Sequence, residues 1–158
     1  MNKLFIITAF LVLAVTQKSF AQDSAKQSQI PQLLSLYYNI KDALVADNSN
    51  AASISAQEFL KTMSSADNKA ILENSSTALT KDAGGIAETK DIKHQREHFA
   101  SLSADMAALA KSVKLTGQPI YEAYCPMKKA YWLSNNKTIK NPYFGSAMLT
   151  CGSVKETL

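Results

Sequence analysis

The spacing of apolar residues predicts that most of the chain is helical. From residue 30 onward, apolar side chains recur three and four positions apart, which places them on one face of a helix. The pattern predicts a first helix through Leu44 and a second helix over about 51–63, with a polar break at residues 47–50 between them. A third, weaker helix, diluted by Ser and Thr, is predicted for residues 70–79.

A glycine pair separates these helices from the longest one. The two glycines at 84–85 are the clearest stop signal in the chain. A steady apolar stripe then runs over about 86–115 and ends before Pro119. Four helices joined by short polar links predict an up-and-down bundle over residues 22–118.

The pattern changes character after residue 118. Two short aromatic stretches, 120–124 and 130–133, alternate as strands do, and residues 148–151 are a third candidate strand. Residues 119–158 are therefore expected to form a small β-rich or irregular module that packs on the bundle. The predicted fold is mostly α, of α+β class, with bundle and module forming one structural domain.

The first 21 residues have the order of a secretory signal peptide. A positive charge at Lys3 is followed by an apolar run from Leu4 to Val15 and by small residues up to Ala21. The run is too short to cross roughly 30 Å of hydrocarbon as a helix. We expect cleavage after Ala21, which gives a periplasmic or secreted protein with no membrane span.

The charge balance gives no case for nucleic-acid binding. The full chain has 17 basic and 13 acidic residues, a net charge of +4. The leader contains two of the basic residues and none of the acidic ones, so the mature chain has 15 against 13, a net charge of +2. Proteins that bind nucleic acids usually have a larger excess of basic residues, concentrated in a dense stripe of Lys and Arg, and this chain has neither.

Soft ligands cluster in the C-terminal module. Cys125 and Met127 lie two residues apart, and Met148 and Cys151 lie three apart. If the fold brings the two segments together, four sulfur atoms converge, and thiolate and thioether ligands select soft ions such as Cu(I). The alternative is a Cys125–Cys151 disulfide, the usual state of a lone cysteine pair in an exported protein, with both methionines as core filler. It would close a loop of about 25 residues and contribute about 3 kcal/mol.

The two histidines, His94 and His98, lie four residues apart on one face of the longest predicted helix. This is metal-ligand spacing, and His98 is the better placed to meet the C-terminal module. The alternative is a solvated His94 and a hydrogen-bonded His98 at the edge of the core. We expect no enzyme, because no nucleophile elbow, phosphate loop or close carboxylate pair is present. Cys125 activated by His98 is the remaining catalytic alternative.

Several short motifs in the second half of the chain carry a family resemblance. They read Gln95-Arg96-Glu97-His98-Phe99, Tyr124-Cys125-Pro126-Met127, Tyr131-Trp132-Leu133-Ser134, Asn141-Pro142-Tyr143-Phe144-Gly145 and Met148-Leu149-Thr150-Cys151-Gly152. In these motifs the chain resembles an exported bacterial family of unknown function that also occurs as a domain in heavy-metal efflux adaptor proteins. The resemblance covers about residues 34–156.

The resemblance implies heavy-metal handling outside the inner membrane, with copper as the metal. Carried over residue by residue, the implied ligands are His98, Cys125, Met127, Met148 and Cys151. The resulting hypothesis is a protein that binds Cu(I), with Zn(II) or Ag(I) as alternatives, and buffers the ion or passes it to an efflux adaptor. The competing hypothesis is a non-catalytic structural or interaction domain closed by the disulfide, with an efflux or envelope complex as its partner.

Overall fold

The computed structural model describes residues 29–64 and 75–158, with side chains from residue 31 onward. The expected leader, and the beginning of the third predicted helix, lie outside the described residues. Within them, four helices precede a three-stranded sheet, so the mostly helical α+β class is confirmed. No helix in the described ranges is long and apolar enough to cross a membrane.

The helices pack mainly on their neighbours in sequence, as the bundle prediction requires. They are α1 (Gln29–Val45), α2 (Ser49–Met63), α3 (Ser76–Glu88) and α4 (Ile92–Ser112). The periodic apolar positions form their shared core. Its fully buried side chains include Leu33, Tyr37, Ile40, Leu44, Phe59, Leu79, Ile86, Phe99, Leu102 and Met106.

The predicted helix stop at residues 84–85 is wrong, because α3 continues through both glycines and ends at Glu88. Glycine inside a helix costs roughly 0.5–1 kcal/mol relative to alanine. Fully burying an aliphatic side chain such as that of Ile86 contributes about 1.5–3 kcal/mol, which offsets that cost. The chain turns at Asp91 instead, whose carboxylate caps α4 by accepting a hydrogen bond from the Lys93 N–H.

The buried amide of Gln95 closes the turn between α3 and α4. Its Nε2 lies 2.8 Å from the Thr89 carbonyl oxygen, 3.2 Å from that of Ile86 and 2.9 Å from that of Ser49. The carbonyl groups at the end of a helix have no partner within the helix. The Gln95 amide donates hydrogen bonds to these carbonyl oxygens at the end of α3. It also connects the start of α2 to α4.

The sheet is antiparallel, with the strand order β2-β1-β3. β1 (Tyr121–Cys125) and β2 (Ala130–Ser134) lie within a residue of the predicted positions, and β3 spans Ser153–Thr157. α4 packs against β2, which places the helical bundle on one side of the sheet.

The third strand is not where the sequence predicted it. Residues 148–151 form the end of a 3₁₀ turn (Gly145–Met148) and the bend that follows it, and β3 begins after Gly152. Gly152 has a φ of +144°, and a Cβ at this position would collide with the Trp132 ring. The chain therefore turns sharply at Gly152 before it joins the sheet.

Tyr37 in α1 joins the bundle to the sheet. Its hydroxyl oxygen lies 2.7 Å from the Ser103 Oγ in α4 and accepts a hydrogen bond of 3.0 Å from the Leu133 N–H in β2. Its ring stacks on Phe99 at a centroid distance of 5.3 Å. Burial raises the pKa of Tyr37 well above its ordinary value, so the hydroxyl stays protonated and can donate to Ser103.

Arg96 in α4 connects the turn between α1 and α2 to the C-terminal module through hydrogen bonds. Its guanidinium donates to Asp47 Oδ1 at 2.6 Å, to the Leu44 carbonyl oxygen at 2.8 Å and to the Pro142 carbonyl oxygen at 2.8 Å. Asp47 also accepts hydrogen bonds from the Ser146 hydroxyl at 2.6 Å and the Ser146 N–H at 3.0 Å. The 3₁₀ turn is thereby fixed to the bundle.

Candidate metal centre

Both cysteines are free thiols, and the sheet brings them side by side. Cys125 ends β1 and is fully buried, whereas Cys151 follows the 3₁₀ turn and is partly exposed. The two side chains are close enough to share a hydrogen bond. The two cysteine segments therefore meet, although they are distant in sequence.

Two N–H groups are directed at the sulfur of Cys125. The hairpin loop after β1 turns back so that the Lys128 N–H donates to Cys125 Sγ at 3.4 Å, and Asn141 Nδ2 donates to the same sulfur at 3.2 Å. Such donors favour the charged form of the group that accepts them. When a metal displaces the thiol proton, these two donors can hydrogen-bond the resulting thiolate, the form that ligates metals.

Without a cation, the site keeps a proton on Cys151. Burial raises the pKa of the Cys151 thiol above its ordinary value, and the neighbouring Cys125 raises it further through a hydrogen bond and through its charge. The Met127 backbone acts in the opposite direction. Two adjacent thiolates repel one another, and a bound cation would remove this repulsion because metal binding displaces the thiol protons.

Met127 and Met148 lie at the surface of the same module. Their side chains are 63% and 38% exposed, and that of the adjacent Leu149 is 39% exposed. Side chains with this exposure do not fill a core, so the core-filler interpretation of the two methionines is wrong. Their thioether sulfurs remain accessible as soft ligands.

His98 lies on the opposite side of α4 from the C-terminal module. Its Nδ1 is 3.2 Å from Asp82 Oδ1 in α3, and its Nε2 is 3.3 Å from the His94 Nε2. Two positions along a helix correspond to a rotation of about 200°. Because Arg96 reaches the Pro142 carbonyl, His98 points away from that side. The structure does not bring His98 to the four sulfur residues.

The ligand set fits a soft monovalent ion better than Zn(II). In the part of the chain that the structure describes, no three or more His, Cys, Asp or Glu side chains are grouped so that they could hold an ion together. Zinc sites generally use three or four ligands of these types. A thiol pair supplemented by thioethers matches the preference of Cu(I).

A protein-family model described as "Protein of unknown function (DUF3347)" matches residues 33–118, more than half of the chain. The chain belongs to the DUF3347 family. No curated protein and no solved structure matches it. The matched range contains both histidines and ends before β1, so the four sulfur residues of this DUF3347 protein lie beyond it.

Asn141 is a residue of the site in the DUF3347 protein that the sequence did not predict. This amide is fully buried, and its Nδ2 lies within hydrogen-bond distance of both Cys125 Sγ and the Cys151 carbonyl oxygen, at 3.2 and 2.6 Å. Its Oδ1 accepts a hydrogen bond from the Tyr143 N–H. One side chain thus connects both cysteine segments. Asn141 is the first residue of a motif that is otherwise apolar and aromatic. A polar amide at such a position is the sequence feature that could have identified it.

Proposed function

We propose that this protein binds Cu(I) outside the cytoplasm, through Cys125 and Cys151, and buffers the ion or passes it to an efflux system. The observation that carries the proposal is the pair of adjacent free thiols, with two N–H groups directed at the Cys125 sulfur. The location rests on the leader-like residues 1–21, and the efflux partner rests on the family resemblance. The proposed role is non-catalytic.

The chemistry of the donors supports Cu(I) over other ions. Thiolates and thioethers are soft ligands, which suit Cu(I) and suit Mg(II) or Ca(II) badly. Ag(I) is a soft ion of the same charge and would compete for the same sulfur atoms. Zn(II) is a weaker candidate, because the described residues around the thiols lack the further His, Cys, Asp or Glu ligand that it would require.

The sulfur residues differ in solvent exposure in a way that suits an ion which is bound and then transferred to a partner. Met127 and Met148 are exposed, Cys151 is partly exposed, and Cys125 is fully buried. An ion arriving from solvent or from a partner would meet thioethers at the surface before it reaches the inner thiol. Thioether ligands carry no charge, so they can release the ion to a partner without taking up protons.

The test is an anaerobic Cu(I) titration of the fully reduced protein against a competing chelator. The chain's single tryptophan, Trp132, packs against Gly152 and offers a fluorescence readout beside the site. We expect one Cu(I) per protein, with affinity reduced at least about 100-fold in Cys125→Ser and Cys151→Ser. His98→Ala is the matched control and should stay within about twofold of the wild type, because its ring faces α3.

The disulfide hypothesis makes the opposite forecast. If the cysteines serve only to close the module, the fully reduced protein will not bind Cu(I) in competition with the chelator. Protein prepared without reductant will then contain no reactive thiol, and reduction will lower its free energy of unfolding by about 3 kcal/mol. That combination of results would overturn the copper proposal.

A further inference from the structure

A second group of metal-ligating side chains lies on the face of α4 that packs toward α3. The imidazoles of His94 and His98 are nearly perpendicular, at 87°, and their Nε2 atoms are 3.3 Å apart. Two nitrogen ligands at about 2.0–2.1 Å from one ion, with an angle of roughly 90–110° between them, are about 2.9–3.4 Å apart. The two nitrogens are within hydrogen-bond distance of each other, and the same spacing suits a chelate once an ion displaces the shared proton.

Asp82 fixes the ring of His98 in the orientation and tautomer that a metal requires. An ionised carboxylate can only accept hydrogen bonds, so His98 Nδ1, 3.2 Å from Asp82 Oδ1, carries the hydrogen. Nε2 then presents its lone pair toward His94. A carboxylate bonded to the remote nitrogen of a histidine is the usual outer partner of a metal-bound imidazole. Asp82 is buried in α3, so it holds this orientation from the core side.

Gly85 in α3 provides the space for this arrangement. A Cβ on Gly85 would overlap three atoms of the His98 ring, whereas a Cβ on Gly84 would meet no atom within 4 Å. The cleft in front of the rings is open to solvent, and Glu88 is among its lining residues. Among the described residues no third His, Cys, Asp or Glu side chain is placed to join the two imidazoles, so water completes the coordination of an ion that both hold.

We infer that His94 and His98 form a binding site for a divalent transition ion of the Zn(II) and Cu(II) class, separate from the thiol site. Neutral imidazole nitrogen suits these ions, whereas the sulfur pair suits Cu(I). His94 is 55% exposed, which gives an ion access from solvent. Glu97, whose Oε2 is 3.6 Å from the His94 Nδ1, adds negative charge, and Lys81 in the cleft wall is the opposing positive charge.

The test uses Zn(II), which is redox-silent, and NMR of the imidazole groups of the full chain. Since the chain has only two histidines, each imidazole gives one resolvable signal. We expect both signals to shift together and to saturate at one Zn(II) per histidine pair. His94→Ala should raise the Zn(II) concentration needed to shift the His98 signal at least tenfold. His94 is mostly exposed, so this variant will fold.

Two glycine variants make a matched pair for the same titration. Gly85→Ala displaces the His98 ring and should require at least tenfold more Zn(II), whereas Gly84→Ala should titrate like the wild type. Equal behaviour of the two variants, a shift of the His94 signal alone, or no shift at all would overturn the inference. Loss of the response in the Cys125→Ser/Cys151→Ser protein would assign the ion to the thiols and overturn it as well. Because Cu(I) binding is measured separately, either proposal can fail without the other.

Discussion

The Asn141 side chain donates a hydrogen bond of 3.2 Å from its Nδ2 to the sulfur of Cys125. The amide and the thiol are both fully buried, so the positive end of the amide dipole acts on the sulfur without competition from water. The same nitrogen is 2.6 Å from the Cys151 carbonyl oxygen, so the donor that faces one cysteine also positions the segment of the other.

Replacing this donor should weaken Cu(I) binding without removing either thiol. Asn141→Asp keeps the size of the side chain and an acceptor for the Tyr143 N–H, but it places negative charge where the sulfur had a donor. We expect a 10–100-fold lower Cu(I) affinity in the chelator competition. Asn136→Asp is the control, because Asn136 is exposed and its Oδ1 acceptor for the Thr138 N–H is retained. If both variants bind like the wild type, the buried amide has no role in the site.

The two thiols should differ in reactivity toward iodoacetamide. Cys125 is fully buried and should be alkylated only on unfolding, whereas Cys151 is partly exposed. Because the pKa of Cys151 is raised, its thiolate fraction is small at neutral pH, and its alkylation rate should still be increasing above about pH 9. Peptide mass spectrometry of briefly labelled native protein measures both effects. Equal labelling of the two cysteines would contradict the burial of Cys125.

The Asp47 network should make stability depend on pH in the acid range. Hydrogen bonds from Ser146 and Arg96 lower the pKa of Asp47 from its usual 3.8 to about 2. Its stabilising effect is therefore complete above about pH 4 and is lost as the pH falls toward about 2. Asp47→Asn keeps a side chain that tolerates the φ of +56° but cannot carry the charge.

Urea unfolding of Asp47→Asn at two pH values measures this contribution. At about pH 6 we expect a loss of about 1 kcal/mol, reduced by solvent screening because the side chain is 40% exposed. At about pH 2.5 the difference from the wild type should shrink. Glu58→Gln is the control, since Glu58 is an exposed carboxylate in the middle of α2. A difference from the wild type that does not change with pH would exclude the charge as its cause.

Gly145→Ala should destabilise the protein at the same corner. Gly145 has a φ of +53°, which costs an L-residue about 1–2 kcal/mol. A Cβ there would also overlap Asp47 Oδ1 and crowd the Arg96 guanidinium. We expect a loss of about 2–3 kcal/mol in the free energy of unfolding. Gly117→Ala, whose Cβ would meet no atom within 4 Å, should change it by less than about 0.5 kcal/mol; similar losses in both variants would contradict the steric explanation.

Periodicity predicted α1, α2 and α4 because the core uses the same helical face throughout each of them. The glycine signal at residues 84–85 was misleading, because burial of Ile86 overrides the local preference of glycine and the absence of a side chain at Gly85 allows the approach of His98. The strand predicted at residues 148–151 is wrong, because this segment follows a 3₁₀ turn and the chain bends at Gly152 before it joins the sheet.

The proximity of the two cysteine segments could be anticipated from the sequence, but the direction of His98 could not. Arg96 and His98 are close in sequence, yet they face different neighbours of α4, and only tertiary packing decides which neighbour lies on which side. Asn141 was overlooked for a related reason. It begins one of the family motifs, but its burial against a sulfur atom depends on segments that meet from distant parts of the chain.

The family match ends at residue 118, so it contains Tyr37 but not Leu133. The Tyr37 hydroxyl nevertheless accepts a hydrogen bond from the Leu133 backbone. A fragment that stopped at that residue would leave the hydroxyl without this donor and would uncover the face of α4 that packs on β2. Bundle and module should therefore melt as one cooperative unit. By mass action, an ion that binds only the folded protein raises the stability of that entire unit. Helicity lost from α1 on heating would then report whether the thiols, at the far end of the chain, are occupied.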